Sequence, residues 1–265
     1  MGKRKDRQIY LAQNFLKSPK LVCRLVAKSA INPSDIVYDI GAGKGIITAE
    51  LARVATRVIA IEKDSQLANK LRVHFRAHDN VEIVVRDFLE HKISERDYKI
   101  FANIPYNITA RVMRKILYEP PLPSESYLIL QKEAGKKFSG RPKETLFSVL
   151  AKPFFEFRLL AELRRTDFKP MPKVDSVFLL VRRRSSPLIE KANEFSYRQF
   201  VQHGFCRWKP HLKSAYKDIF SYKQWKRLSG ELKFPLNATP TELSFEQWLG
   251  LFKAYKLQHI RRMLQ

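Results

Sequence analysis

Cysteine is scarce in this chain of 265 residues, which contains two, Cys23 and Cys206. They lie far apart and form no paired pattern, which excludes a disulfide framework and favours a cytosolic compartment with reduced thiols. No cluster of His and Cys has the spacing of metal ligands. The sequence therefore predicts a cytoplasmic protein that needs no metal.

Long apolar runs are also missing. The longest are short, such as Val177–Val181, so no segment can span a bilayer. The N-terminal residues Met1–Arg7 contain neither the apolar region of a secretory signal nor a myristoylation motif. We therefore expect no membrane association.

Acidic residues are few relative to basic ones, with 26 Asp and Glu against 50 Lys and Arg and a formal net charge of +24. Such an excess attracts polyanions and speeds encounter with them. It favours a nucleic-acid partner. An anionic membrane surface is the main alternative, but no long amphipathic helix with a bulky apolar face and basic flanks stands out.

The basic residues concentrate in an N-terminal arm, around the last two predicted strands and in the C-terminal part of the chain. They comprise Lys3, Arg4, Lys5 and Arg7; Arg158, Arg164, Arg165, Lys169, Lys173 and Arg182–Arg184; and Arg207, Lys209, Lys213, Lys217, Lys223, Lys226 and Arg227. Together these runs predict a phosphate-binding cleft between two domains.

Short β-rich runs alternate with helical stretches from Asp35 to about Leu130, the pattern of βαβ units on a parallel sheet. The predicted strands are Ile36–Ile40, Arg57–Ile61, Val81–Val85, Lys99–Ala102, Tyr127–Leu130, Phe155–Leu163 and Ser176–Val181. The predicted helices are Pro19–Ala30, with Ser18 as its N-cap, Ile46–Arg53, Ser65–Phe75 and Thr109–Leu117. The fold class is therefore α/β, with a Rossmann-like sheet.

A break at Ser185–Pro187 separates this region from a C-terminal part in which β-rich runs stop and aromatic residues stand at helical spacings. The 45% hydrophobic content suffices for one sizeable core and a small appendage. We therefore predict a catalytic, cofactor-binding domain over residues 1–185 and a small all-helical domain over residues 186–265.

The first predicted strand ends in a glycine-rich turn, Gly41–Gly45, where the backbone can approach a ligand closely. Glu62 ends the second strand, 21 residues past Gly41, where a carboxylate can accept both hydroxyls of a ribose. Asp87 follows the third strand, where its carboxylate can accept a hydrogen bond from an adenine amine. A ligand across the strand ends would meet Gly41, Glu62 and Asp87 in turn.

Two cofactors fit such a series, a nicotinamide dinucleotide and S-adenosylmethionine. The glycines, of which Gly43 is the second, run G-x-G-x-G rather than the G-x-G-x-x-G of dinucleotide-binding proteins. Asp87 adds an acceptor for adenine. The sequence therefore favours S-adenosylmethionine, bound by Gly41, Gly43, Glu62 and Asp87.

The most specific chemistry lies at the end of the fourth strand, in Asn103-Ile104-Pro105-Tyr106. The exocyclic amine of adenine is a poor nucleophile because its lone pair is delocalised into the ring. The Asn103 side-chain oxygen and the Ile104 carbonyl can accept both amine hydrogens and aim the lone pair at a methyl group. Pro105 stiffens the turn, and Tyr106 can stack on an extruded base. An ordinary β-turn is the alternative for the isolated tetrapeptide.

Taken together, these residues resemble the ribosomal RNA adenine N6-dimethyltransferase family along nearly the whole chain. The matching elements are Gln13–Leu16, Gly41–Gly45, Glu62, Arg86–Phe88, Asn103–Tyr106 and Phe168–Val174. The resemblance implies a class I methyltransferase sheet with a C-terminal helical RNA-binding domain, and S-adenosylmethionine as the cofactor.

The resemblance also implies roles for further residues. Asn14 and Leu16 would close over the cofactor, Asn103 would contact it, and Phe168 would border the pocket of the target adenine. From the residues alone, Phe168 can equally be a core aromatic. Lys63 stands where many relatives have an aliphatic residue that covers the cofactor adenine, and its stem can do the same with its ammonium in water.

The family has two main branches. One modifies a pair of adenines in small-subunit RNA during ribosome assembly, and the Erm branch modifies one adenine of 23S rRNA and confers resistance to macrolides, lincosamides and streptogramin B. Ile104 stands where the assembly enzymes usually have Leu, and Leu243–Phe252 is similar to the Erm branch. Cys206–Pro210 stands in place of an Arg-Arg-Lys-Thr-Leu segment of the assembly enzymes.

The resulting expectation is a monomeric Erm-type enzyme that methylates a single adenine of protein-free or early-assembly 23S rRNA. A small-subunit rRNA dimethyltransferase shares the same chemistry and is the first alternative. A non-catalytic RNA-binding assembly or transcription factor is another, although Asn103 and Tyr106 argue against it. A nicotinamide oxidoreductase is disfavoured by the glycine spacing.

Overall fold

The computed structural model describes residues 14–205 and 211–263, with side chains to residue 258. The basic arm at residues 3–7, Gln13 and the segment Cys206–Pro210 lie outside the described residues. The chain divides into two compact units. Unit 1 consists of Met1–Gly135 and Glu156–Arg183, and unit 2 of Lys136–Phe155 and Arg184–Gln265.

Unit 1 is built on a sheet of seven strands in the order β4-β3-β2-β5-β6-β9-β7. Its strands are β2 (Ile36–Ile40), β3 (Arg57–Glu62), β4 (Val81–Val85), β5 (Lys99–Asn103), β6 (Glu125–Gln131), β7 (Phe155–Leu163) and β9 (Ser176–Arg183). Neighbours from β4 to β6 pair in parallel, whereas β9 runs antiparallel to β6. The α/β fold with a Rossmann-like sheet is confirmed, and each predicted strand is present with bounds that agree within two residues.

Four helices of unit 1 follow the predicted periodicity. They are α1 (Pro19–Ala27), α2 (Ile46–Ala52), α3 (Ser65–His74) and α4 (Thr109–Tyr118). Ser18 caps α1 as predicted, because its side chain accepts a hydrogen bond from the Leu21 N–H. Helix α5 (Lys132–Ser139) directly follows β6 and was not predicted.

The core of unit 1 lies between the sheet and the helices α1 and α2. Phe101, Tyr127 and Phe178 stand on three neighbouring strands with ring centroids 5.3–6.2 Å apart. All three are buried in one hydrophobic cluster with Leu25 of α1 and Leu51 of α2. The period of two along each strand therefore determines which residues face these helices.

A second, two-stranded sheet joins two distant parts of unit 1. Strand β1 (Phe15–Leu16) pairs antiparallel with β8 (Phe168–Lys169). The Lys17 N–H also donates to the Asp167 carbonyl at 3.0 Å. Sequence periodicity could not detect this pairing, because strands of two residues carry no pattern.

Unit 2 is helical in the described ranges. Its helices are α6 (Leu146–Ala151), α7 (Glu194–Gly204), α8 (Leu212–Ala215), α9 (Tyr222–Leu232) and α10 (Phe245–Met263). Among the residues that the structure describes, Trp225 and Trp248 are the largest fully buried side chains, and they pack in a cluster with Phe200 and Tyr216. None of the helices in the described part of the chain is long and apolar enough to cross a lipid bilayer.

The division differs from the predicted boundary at residue 185 in one segment. The boundary after Arg183 agrees within two residues, but Lys136–Phe155 belongs to unit 2. Val149 is fully buried in the unit 2 cluster, and the Tyr197 hydroxyl donates to its carbonyl at 2.8 Å. The prediction of a continuous domain over residues 1–185 is therefore corrected, because α6 buries its apolar side among the C-terminal helices.

Phe101 offers a test of this core. Replacing it with Ala removes a fully buried ring from the contact with Tyr127 and Phe178. We expect Phe101→Ala to lower the free energy of unfolding by about 3–5 kcal/mol, since a cavity remains. Val73→Ala, at a side chain that is 69% exposed, should change it by no more than about 0.5 kcal/mol. Equal losses in urea unfolding of the two variants would contradict this packing.

Candidate active site

The glycine-rich turn joins β2 to α2. Gly41 and Gly43 have backbone φ values of 70° and 59°, which residues other than glycine rarely adopt. A Cβ on Gly43 would lie 2.6 Å from the Phe15 ring, whereas one on Gly41 would meet nothing within 4 Å. The turn therefore packs against β1 at Gly43 and leaves space for a ligand beside Gly41.

Glu62, the last residue of β3, supports this turn. Its carboxylate accepts hydrogen bonds from the Gly43 N–H at 2.8 Å and from the Asp64 N–H at 2.9 Å. The side chain is buried, with 1% exposure. Each carboxylate oxygen has a further lone pair, so Glu62 can accept additional donors such as hydroxyls.

Asp87 lies beyond the end of β4 and forms an ion pair with Lys63, with 3.0 Å between Asp87 Oδ2 and Lys63 Nζ. The Leu89 N–H donates to Asp87 Oδ1 at 3.0 Å. Burial raises the pKa of Asp87, but these two donors outweigh it and hold the pKa below its usual value. The carboxylate is therefore charged near neutral pH and available as an acceptor.

Asp39 in β2 is a fully buried carboxylate directly before the turn. Its Oδ2 accepts a hydrogen bond from the Thr48 hydroxyl at 2.6 Å, while no donor in the described ranges reaches Oδ1. Burial raises the pKa of Asp39 to about 7, the Thr48 hydrogen bond opposes this, and the charge of Glu62 adds to it. Asp39 Oδ1 is thus a buried acceptor that lacks a hydrogen-bond donor within the described residues, although Asp39 does not line the cavity described below.

Asn103 ends β5, and its side-chain amide is oriented by β1. The Asn103 Nδ2 donates to the Asn14 carbonyl at 2.7 Å, which leaves Oδ1 as an acceptor. The Ile104 N–H donates to the Ile129 carbonyl at 3.0 Å. In the described part of the chain no donor binds the Ile104 carbonyl oxygen. Asn103 Oδ1 and the Ile104 carbonyl oxygen are thus two neighbouring acceptors at the end of the strand, and neither accepts a hydrogen bond from the described residues.

Pro105 and Tyr106 form the turn that follows. Pro105 has φ −57° and precedes a short 3-10 helix, Tyr106–Ile108, because the Ile108 N–H donates back to the Pro105 carbonyl. The Tyr106 hydroxyl forms a hydrogen bond with the Ser176 hydroxyl, with 3.0 Å between the oxygens. The ring of Tyr106 is therefore anchored at its hydroxyl end.

These elements surround one cavity of about 340 Å³ that opens to solvent. Its lining consists of Asn14, Phe15, Gly41, Asn103, Ile104, Pro105 and Tyr106. The cavity thus joins the glycine turn, with its open space beside Gly41, to the two acceptors of the reactive tetrapeptide.

The profile of the family described as "Ribosomal RNA adenine dimethylase" matches residues 4–257. The chain belongs to this family. It is therefore an rRNA adenine N6-methyltransferase, and the predicted enzyme class is confirmed. Membership likewise confirms S-adenosylmethionine as the cofactor.

The names of similar proteins include both a small-subunit rRNA methyltransferase and a 23S rRNA methyltransferase. A protein of Aeromicrobium erythreum named "rRNA adenine N-6-methyltransferase" is 34% identical over 76% of this chain, and the match spans 59% of that relative's length. A "Ribosomal RNA small subunit methyltransferase A" of Thermotoga petrophila is also 34% identical, over 80% of each chain. The crystal structure of the 23S rRNA methyltransferase ErmE is similar with a TM-score of 0.86 and 29% identity, covering 92% of this chain and all of that one.

The structure brings together only part of the residues that the sequence placed at the site. Asn14, Gly41 and the tetrapeptide Asn103–Tyr106 line the cavity. Gly43, Glu62 and Asp87 lie at the ends of the neighbouring strands but do not line it. The predicted roles of these residues towards the cofactor and the target adenine stay predictions.

The structure also shows where Lys63, Leu16 and Phe168 lie, although none of them lines the cavity. The Lys63 ammonium is bound to the Asp87 carboxylate and its side chain is 64% exposed. Leu16 and Phe168 are 5% and 2% exposed and belong to the hydrophobic core, because they are partners in the β1–β8 pairing. Phe168 is a core aromatic in this structure, and its predicted place beside the pocket of the target adenine stays a prediction.

Three residues of the site were missed. Phe15 lines the cavity, Asp39 presents the unpaired buried oxygen, and Ser176 anchors Tyr106. Asp39 had a signal in the sequence, since an acidic residue in an apolar strand just before a glycine turn is out of place. Phe15 and Ser176 had none, because their contacts join segments that are distant in the chain.

The pH dependence of stability provides a test of Asp39. Its pKa of about 7 in the folded protein exceeds the ordinary value of 3.8, so the folded state holds the proton more tightly than the unfolded state. The contribution to stability is fully present below the ordinary value and is lost as the pH rises through the folded value. Asp39→Asn removes the ionisation but keeps an acceptor for Thr48.

We therefore expect Asp39→Asn to exceed the wild type in free energy of unfolding by about 1–4 kcal/mol at pH 8, and by much less at pH 4. The measurement is urea unfolding without cofactor at both pH values. The exposed Asp79→Asn is the matched control. An advantage of the same size at both pH values would show that burial does not perturb Asp39.

Proposed function

We propose that this enzyme transfers methyl groups from S-adenosylmethionine to N6 of a single adenine in 23S rRNA, and so confers resistance to macrolides, lincosamides and streptogramin B. The observation that supports 23S rRNA as the target is the structural similarity to ErmE, which extends over 92% of this chain and all of that one. The chemistry rests on the two unengaged acceptors, Asn103 Oδ1 and the Ile104 carbonyl, in one cavity with Gly41.

The cofactor would be held at the ends of the first strands. Gly41 leaves space for a close approach of the ligand, Glu62 has acceptor capacity for ribose hydroxyls, and Asp87 is a charged acceptor for an adenine amine. The unpaired oxygen of Asp39 suits the cationic part of the same molecule. S-adenosylmethionine supplies an activated methyl group when bound, so the residues of the chain have to position the acceptor and stabilise charge.

The tetrapeptide Asn103–Tyr106 acts on the target base. Asn103 Oδ1 and the Ile104 carbonyl accept both hydrogens of the adenine amine, which favours a pyramidal nitrogen with a directed lone pair. They also stabilise the positive charge that develops on this nitrogen until its proton leaves to water. Tyr106 stacks on the base, which must be extruded or single-stranded to reach the cavity.

Exposed basic side chains support binding of the RNA backbone. Unit 1 exposes Arg164, Arg165, Lys169 and Lys173, and unit 2 exposes Lys217, Lys223, Lys226 and Arg227. Arg182 instead binds the buried carboxylate of Glu125, so we remove it from the predicted phosphate-binding set. Arg158 and Arg227 form ion pairs with Glu156 and Glu231, but their side chains are 57% and 68% exposed and both stay in the set. RNA binding by unit 2 and the monomeric state are parts of this proposal.

A small-subunit rRNA methyltransferase is the second candidate. The Thermotoga petrophila relative of that name is 34% identical to this chain, and the 23S rRNA methyltransferase ErmE is 29% identical. Sequence identity therefore does not choose between the branches, and the substrate has to be tested directly.

The substrate test uses radiolabelled S-adenosylmethionine with purified, protein-free 23S and 16S rRNA, followed by primer-extension mapping. We expect label on 23S rRNA and a single stop in its drug-site loop. Label on 16S rRNA or on assembling small subunits would move the function to ribosome maturation. If no substrate incorporated label, the result would favour a non-catalytic RNA-binding protein.

The role of Asn103 is tested by Asn103→Ala. We expect methyl transfer to fall by about 10²–10³-fold, because one of the two acceptors for the amine is lost. Binding of cofactor and RNA should remain within about threefold, measured by calorimetry and filter binding, since the lost acceptor acts chiefly on the amine in the transition state. Asn69→Ala, an exposed asparagine of α3, is the matched control. Turnover of Asn103→Ala at the level of this control would refute the assignment.

A further inference from the structure

Ser176 is a polar residue in an unusual position. It begins β9, where it pairs with Gln131 of β6, and its side chain is fully buried. Within the described ranges its hydroxyl has one hydrogen-bond partner, the hydroxyl of Tyr106, 3.0 Å away. A buried hydroxyl with a single partner depends on that partner, because separation leaves it unsatisfied.

The residue before Ser176 is held by two hydrogen bonds, and Ser176 itself pairs with Gln131 in the sheet. The Lys132 N–H donates to the Asp175 carbonyl at 3.0 Å, and the Arg165 N–H donates to the Asp175 carboxylate at 2.9 Å. Ser176 therefore presents its hydroxyl from a rigid strand. Tyr106, in contrast, lies on a turn and lines the cavity, where it is half-buried.

We propose that Ser176 is a positioning residue for methyl transfer, which holds the Tyr106 ring in the orientation that stacks on the target adenine. A ring fixed only at its Cβ can rotate about two bonds, and the hydrogen bond at the far end removes this freedom. If Tyr106 turned away, the buried Ser176 hydroxyl would lose its partner, so the strand stabilises one orientation of the ring. This inference rests on the proposed role of Tyr106, but not on which ribosomal RNA is methylated.

The arrangement complements the contact at the other end of the tetrapeptide. The Asn14 carbonyl orients the Asn103 amide, and the Ser176 hydroxyl orients the Tyr106 ring. Each anchor comes from a segment that is distant in the chain from the tetrapeptide. The two groups that contact the base are therefore preorganised before the base arrives.

The test is a double-mutant cycle on the rRNA that the wild type methylates. We expect Ser176→Ala to lower kcat about tenfold, with KM for cofactor within about twofold. Tyr106→Phe removes the same hydrogen bond from its other end. Combining Ser176→Ala with Tyr106→Phe should therefore cost no more than Tyr106→Phe alone. Wild-type kcat in Ser176→Ala, or equal losses with and without Tyr106→Phe, would overturn the proposal.

The control is Ser126→Ala. Ser126 is also buried in this sheet, with 1% exposure, but its hydroxyl has no partner in the described ranges. It undergoes the same chemical change and should keep the wild-type kcat. A similar loss of kcat in both serine variants would indicate a general effect on the sheet and would overturn the specific role of Ser176.

A second measurement does not depend on activity. The chain has 10 tyrosines, and fluorine NMR of protein grown with 3-fluorotyrosine reports on each ring. The Tyr106 signal is assigned by its loss in Tyr106→Phe. The fluorine chemical shift of Tyr106 should change in Ser176→Ala and remain unchanged in Ser126→Ala. An unchanged shift in both variants would contradict the proposal that Ser176 holds the ring. If the wild type methylates no rRNA, the proposed function fails while this spectrum still decides whether Ser176 holds the ring.

Discussion

Parallel pairing of β2 with β3 and β5 is the constraint on which the site depends. In this pairing Ile40 lies beside Ile61 on one side and Ala102 on the other. The carboxyl ends of the three strands therefore meet at one edge of the sheet, where Gly41, Glu62 and Asn103 follow. A slip of one residue in either pairing would turn these side chains to the opposite face. The buried cluster around Phe101, Tyr127 and Phe178 stabilises the register because each strand contributes alternate residues to it.

The β1–β8 pairing completes what the main sheet begins. It places the Asn14 carbonyl beside the Asn103 amide and the Phe15 ring against the Gly43 backbone. Leu16 and Phe168 hold the pairing through burial, which explains why their side chains are in the core rather than on the cavity wall. A residue can thus matter for a site through its backbone position while its side chain serves stability alone. The same consideration applies to Glu62, which braces the glycine turn and retains acceptor capacity for a ligand.

The charged side chains fall into two groups, those that are bound in ion pairs and those that are exposed and available to a ligand. Arg182 binds Glu125, whereas Arg164 and Lys169 remain exposed. Lys63 pairs with Asp87 at the ends of two neighbouring strands, at a position where the family resemblance leads us to expect an aliphatic residue. Exposed pairs of this kind contribute little to stability, so their effect is to set the local charge that a ligand meets. Such differences cannot be derived from net charge, which counts paired and unpaired residues alike.

The sequence by itself determined the seven strands of the main sheet, four helices of unit 1, the glycine turn, the carboxylates after successive strands and the reactive tetrapeptide. These features are recognised from local signals in the sequence, namely the period of two in strands, the helical period and short motifs of specific residue types. Only the tertiary structure decided that Phe168 is a core residue, that α6 belongs to unit 2 and that Ser176 anchors Tyr106. These facts depend on contacts between segments far apart in the chain. Their geometry follows from packing and pairing, which no local pattern encodes.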